Sequence, residues 1–164
     1  HNCRRLDEAG IRYLENLPLH LTFEADVYVY LIQHQYDESY GIIESRCQFD
    51  EYWDAHADSK YRNAGKRRMI FGHSHRQCVH VLGDGMEWLN PGSISYRRPD
   101  DPDKTAHYAV IEDGIIRLCR VFYDRSRLFK EARELAREHG MMTTELQDFF
   151  FFFGDAATSR DPLP

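Results

Sequence analysis

Two short apolar runs in this chain each end in histidine, and no other feature constrains its fold as tightly. Val27-Tyr-Val-Tyr-Leu-Ile32 is nearly all apolar and β-prone, and Gln33-His34 follows it. Met69-Ile-Phe71 runs straight into Gly72-His73-Ser74-His75. A strand that is apolar throughout is buried on both faces, which is the usual state of strands in a helix-covered parallel sheet. Gly72 reads as the tight turn that ends the second run. Residues two apart in a strand share a face, so His73 and His75 can converge just past its end. His34 stands at the end of the first run in the same way. Ligands collect at the carboxyl ends of strands in open α/β sheets. Neutral imidazole suits zinc, iron, nickel and copper. His34, His73 and His75 are therefore expected to meet at one metal site on adjacent strands. The plainer alternative is three surface histidines beside turns.

The rest of the chain is a mixture of helix and hairpin. Leu6, Ala9, Tyr13, Leu14 and Leu17 follow helical spacing up to Pro18. Leu19 to Phe23 alternates as a half-exposed strand, and His34 to Ser39 reads as a loop. Phe49, Tyr52, Trp53 and His56 predict a helix over Phe49 to Arg62. Gly83-Asp84-Gly85 and Glu112-Asp113-Gly114 each separate two β-prone runs and predict two hairpins. Asp124 is the expected N-cap of a helix running to His139 and closed by Gly140. Thr144 to Phe153 reads as a last helix whose five phenylalanines pack on the domain or, less simply, form a partner surface. Lys66-Arg67-Arg68 reads as a solvated lead-in to a strand, or alternatively as a phosphate-attracting patch.

Length and charge narrow the class. At 164 residues with a formal charge of −6, the chain fits one domain and argues against general nucleic-acid binding. No apolar run is long enough to cross a membrane. Cys3, Cys47, Cys78 and Cys119 show no metal or disulfide spacing and point to a reducing, cytoplasmic setting. Residues 1–154 are expected to form a single domain, with 155–164 as a disordered tail. The first residue is His1 rather than methionine, and the chain reads as the later part of a longer one.

Taken in order, these segments resemble the calcineurin-like metallophosphoesterases, in particular their small bacterial and archaeal branch. Gly72 to His75 matches the family's G-H-x-H motif, Asn90-Pro91-Gly92-Ser93 its following N-P-G-S, and Tyr123-Asp124 its closing Y-D. His34 takes the position of the lone histidine after a buried strand, although the family often has H-G-x-P there and this chain has His34-Gln35-Tyr36-Asp37. The resemblance covers about residues 1 to 140. It implies an α/β (α+β) fold, a sandwich of two mixed sheets flanked by helices, incomplete in this chain.

The resemblance also implies a dinuclear centre. His34 and His73 would ligate one ion and His75 the other. Asn2 would be the asparagine of the G-N motif, or else His1 would be the histidine of G-N-H and act as general acid. The family's D-x-H and G-D-x-x-D motifs have no counterpart here, so a bridging carboxylate is missing. The implied activity is hydrolysis of a small phosphoester, diester or monoester, by two divalent ions, manganese first, with iron, zinc or nickel as alternatives. The chain alone is expected to be inactive. The alternative is a non-catalytic scaffold on the same fold, for which the phosphoesterase-fold subunit of the retromer coat is the precedent.

Overall fold

The structure is a computed structural model and describes residues 6–37, 41–94 and 105–140. The expected last helix, the five-phenylalanine run, the tail and residues 95–104 lie outside the described residues.

Helix α1 (Glu8–Glu15) leads into strand β1 (His20–Ala25) and β2 (Tyr28–Gln33). Helix α2 (Arg46–His56) and a 3₁₀ turn (Ser59–Tyr61) connect β2 to β3 (Arg67–Ile70). Strands β4 (Cys78–Gly83) and β5 (Met86–Asn90) form one hairpin, and β6 (Ala106–Glu112) and β7 (Ile115–Val121) another, before α3 (Ser126–His139). The order in the main sheet is β1-β2-β3-β5-β4, while β6 and β7 pair as a second sheet. The central strands β2, β3 and β5 run parallel to one another, and β1 and β4 flank them antiparallel.

Register decides the layering. Leu31, Met69 and Trp88 are aligned across the three central strands. They face α2, whose Phe49, Tyr52 and Trp53 complete the core with Val29, Phe71 and Met86. The Trp88 indole donates to the Ile43 carbonyl at 2.8 Å, so its one polar atom is satisfied inside that core.

The next row, Tyr30, Arg68 and Glu87, faces the opposite side. Arg68 is only 2 % exposed, and its guanidinium binds Glu87 Oε2 at 2.7 and 3.0 Å and the Tyr30 hydroxyl at 2.9 Å. It also donates to the Gly114 carbonyl at 3.1 Å, in the turn of the second hairpin. This contact ties the second sheet to the far face of the first. Arg68 is thus neither a solvated lead-in nor a phosphate patch. Arg67 also has a structural role, pairing with Asp50 at 2.7 Å and lying over the Phe49 ring.

Both hairpins turn where the sequence places them. Asp84 and Gly85 have φ of 51° and 74°, and Asp113 and Gly114 have 50° and 74°. Two consecutive positive φ values match the right-handed twist of the flanking strands.

Several helix boundaries differ from expectation, the first helix running from Glu8 to Glu15 only. The second helix begins at Arg46, because Ser45 and Gln48 form a capping box, and it ends at His56 rather than Arg62. The third begins at Ser126 with Arg125 at the cap position. Asp124 still accepts from the Ser126 amide at 2.9 Å, from one position ahead of the cap residue. Gly140 closes the helix at φ 62° as expected.

Candidate metal centre

Parallel pairing puts the residues that follow β2 and β3 at one edge of the sheet, since Ile32 stands opposite Ile70. The chains stay bonded past that point. The His34 carbonyl accepts from the amides of Gly72 at 2.9 Å and His73 at 2.8 Å. Those bonds fix both histidine backbones, and the rings meet. His73 Nδ1 lies 3.2 Å from His34 Nε2, with ring centroids 5.1 Å apart and planes at 71°.

The separation has a chemical meaning. Two imidazole nitrogens on one zinc-like ion, each ~2.0–2.1 Å from it, stand ~2.9–3.4 Å apart for bond angles between ~90° and ~109°. The observed 3.2 Å falls inside that window. A single ring-to-ring hydrogen bond, with one ring donating, meets the same distance.

The loop between β3 and β4 is held from behind. The His75 amide donates to the Gly72 carbonyl at 3.0 Å, closing a turn over Gly72 to His75. Gly72 is absent from the positive-φ residues, whereas His75 has φ 55°. The turn at Gly72 therefore needs no left-handed backbone at the glycine itself. A Cβ on Gly72 would sit 3.9 Å from the His34 carbonyl and 4.0 Å from His34 Nδ1, ordinary van der Waals contacts, so neither space nor backbone angle demands glycine at this position. The left-handed backbone at His75 is strained by about 1 kcal/mol, and such strain gathers at functional sites.

Asn90 is a structural part of the site that motif reading alone does not explain. It is 1 % exposed at the end of β5, and its amide donates to Ser74 Oγ at 3.0 Å. Its Oδ1 accepts from the Gly92 amide at 2.9 Å. One side chain thus clamps the tip of the histidine loop to the turn after β5. Gln77 reaches further, donating to the carbonyls of Cys119 at 2.9 Å and Tyr108 at 3.1 Å in the second hairpin.

His34 is exposed and His73 half-buried, and a small cleft open to solvent lies beside His73. Tyr36, Phe71, Trp88, Ser74 and Asn90 line it with His73. Burial pushes the Tyr36 phenol up, and it pushes the neighbouring Tyr52 up to about 12. Both phenols are neutral at physiological pH.

His75 is half-buried in the same turn, but among the described residues no three His, Cys, Asp or Glu side chains stand close enough to hold an ion together. His1 and Asn2 lie outside the described residues. The pair His34–His73 fits one ion. The described residues do not supply the remaining ligands of a two-ion centre. Cys47, Cys78 and Cys119 are free thiols.

The sequence matches no family model and no curated protein. Solved structures do match. A metallophosphoesterase from Sphaerobacter thermophilus superposes with a TM-score of 0.55 at 18% identity, over 89% of this chain and 62% of that one. A hypothetical protein from Pyrococcus horikoshii OT3 superposes with a TM-score of 0.59 at 16% identity, over 94% and 57%. A single mutant of Vps29 from Entamoeba histolytica is more distant, with a TM-score of 0.43 at 17% identity, over 67% and 63%. This chain has the metallophosphoesterase fold, with a five-stranded mixed sheet, a two-stranded sheet and helices among the described residues. It spans about 60% of the length of the first two structures, 62% and 57%.

Proposed function

We propose that this chain serves the metal-dependent hydrolysis of a small phosphoester, either a diester or a monoester. The observation that carries the reading is the pair of ring nitrogens 3.2 Å apart at the carboxyl ends of neighbouring parallel strands. His34 and His73 would hold one divalent ion, with manganese the first choice and iron, zinc or nickel behind it. A divalent ion there lowers the pKa of water and offsets charge on phosphoryl oxygens. Asn90 and Ser74 keep the His73 loop in place, and the exposed His34 leaves the centre open to substrate. His75 is assigned to a second ion, Asn2 is the asparagine of the G-N motif that bridges toward a metal, and the carboxylates of such a centre have no counterpart in this sequence. His1 is the alternative to Asn2 at the G-N motif and would act as the general acid. The free thiols support a reducing, cytoplasmic setting.

The test is manganese-dependent hydrolysis of bis(p-nitrophenyl) phosphate, by this chain and by any longer polypeptide that carries it. The chain alone is expected to be inactive. The longer polypeptide should turn over, and His73→Ala should lower kcat by at least about 100-fold, since losing a ligand exceeds the loss from removing a ligand's support. Near-normal turnover by His73→Ala would refute the assignment. No turnover by either polypeptide would leave the scaffold reading standing.

A further inference from the structure

A second pair of histidines lies on the helix-covered face of the same sheet, where β1 meets the end of α2. His20 opens β1 and His56 closes α2, and their rings stand 5.7 Å apart, edge to face at 72°. Both are half-buried. Two imidazoles on one ion at ~2.0–2.1 Å place their ring centres ~5–6 Å apart at tetrahedral-like angles. His20 and His56 have this spacing, as do His34 and His73 at 5.1 Å.

The surroundings of the pair suit a cation. His20 is the cross-strand partner of Gln33, so their side chains share a face. The Gln33 Oε1 is buried with no hydrogen-bond partner among the described residues. A buried carbonyl oxygen without a donor is costly, and a cation is one way to satisfy it. The Tyr52 ring lies against His56 with centroids 4.2 Å apart, which fixes the imidazole's orientation. Burial disfavours the charged form of His56 and favours the neutral form that binds metals. A residue at the carboxyl end of a helix faces the negative end of the helix dipole, which suits a cation.

We propose that His20 and His56, with Gln33 Oε1, form a second, mononuclear site for a borderline divalent ion such as zinc. The site joins the edge strand β1 to the end of α2, and it does not depend on the phosphoesterase reading. Its role is to clasp the helix to the sheet behind the His34 strand. Two nitrogens and a neutral oxygen suit zinc or nickel better than magnesium or calcium.

The test is zinc titration by calorimetry on the chain carrying His34→Ala and His73→Ala, which removes the other pair. One ion per chain is expected, with a rise in Tm on adding zinc. His20→Phe and His56→Phe retain an aromatic ring in the packing, and each should weaken binding at least about tenfold and remove the Tm rise. His80→Phe should change neither, because that imidazole is stacked on Trp88. If the double-alanine background does not fold, the same titration on the unaltered chain serves. There, His20→Phe should remove one ion from the count. A count and affinity unchanged by both phenylalanine substitutions would overturn the proposal, and so would a background that folds and binds no zinc.

Discussion

Replacing Arg68 by methionine should be among the most damaging single changes in this chain. The guanidinium is 2 % exposed and bonds Glu87, Tyr30 and the Gly114 carbonyl. Methionine keeps much of the aliphatic volume but strands the Glu87 carboxylate. Breaking one side of a buried ion pair costs about 3–5 kcal/mol. The Glu87 side chain is 18 % exposed, so water recovers part of the loss and the estimate moves to about 3 kcal/mol. Losing the bonds to Tyr30 and Gly114 adds about 1 kcal/mol, since both acceptors can partly re-pair. The sum, about 4 kcal/mol, corresponds to a Tm drop of about 8–16 °C for a domain of this size. The assay is urea unfolding followed by the fluorescence of Trp53 and Trp88, which sit in the core on the other face. Adding Glu87→Leu to Arg68→Met should restore at least half of the loss, because an apolar pair can replace a buried ionic one. A loss below about 1 kcal/mol for Arg68→Met alone would refute the view that this residue locks the two sheets together.

Two further outcomes follow from the geometry. Gly92 has φ 88°, and an added Cβ would lie 2.5 Å from His107 Cβ, so Gly92→Ala should cost about 1–3 kcal/mol in urea unfolding. A change within about 0.5 kcal/mol would contradict the observed turn. Burial, and secondarily His20, hold the folded His56 pKa below its ordinary 6.5. The unfolded state therefore binds the extra proton first, and the stability present above pH 6.5 is lost as pH falls through the folded value. Urea midpoints at pH 7.5 and 5 should show this loss, and His56→Phe should reduce it. An equal pH response in both proteins would remove His56 as its source.

The sequence revealed some features because their determinants are local. An Asp-Gly pair flanked by β-prone runs has few backbone options, and both such pairs form hairpin turns. Apolar runs such as Val29 to Ile32 read as buried strands because their side chains on both faces must leave water. The meeting of His34 and His73 was legible for the same reason, since parallel strands deliver their carboxyl ends to one edge. Other features depend on distant partners and were not legible. Arg68 is buried because Glu87 and Tyr30 arrive beside it from other strands, 19 and 38 residues away in sequence. The start of α2 was missed because its signal is the polar exchange between Ser45 and Gln48 rather than apolar spacing. Asn90 clamps Ser74 from another strand, a contact that spans 16 residues. The H-x-H spacing suggested two converging rings, but the Gly72–His75 turn replaces strand alternation with a left-handed backbone at His75.

Zinc calorimetry on four forms of the chain decides whether His34 and His73 ligate a single ion. The forms are the unaltered chain, His34→Ala, His73→Ala and both together. If the rings share an ion, each single substitution removes the same binding event, and the double substitution removes nothing more. If either single variant keeps the count and affinity of the unaltered chain, the 3.2 Å contact is a hydrogen bond between two imidazoles and the metal reading of this site is wrong.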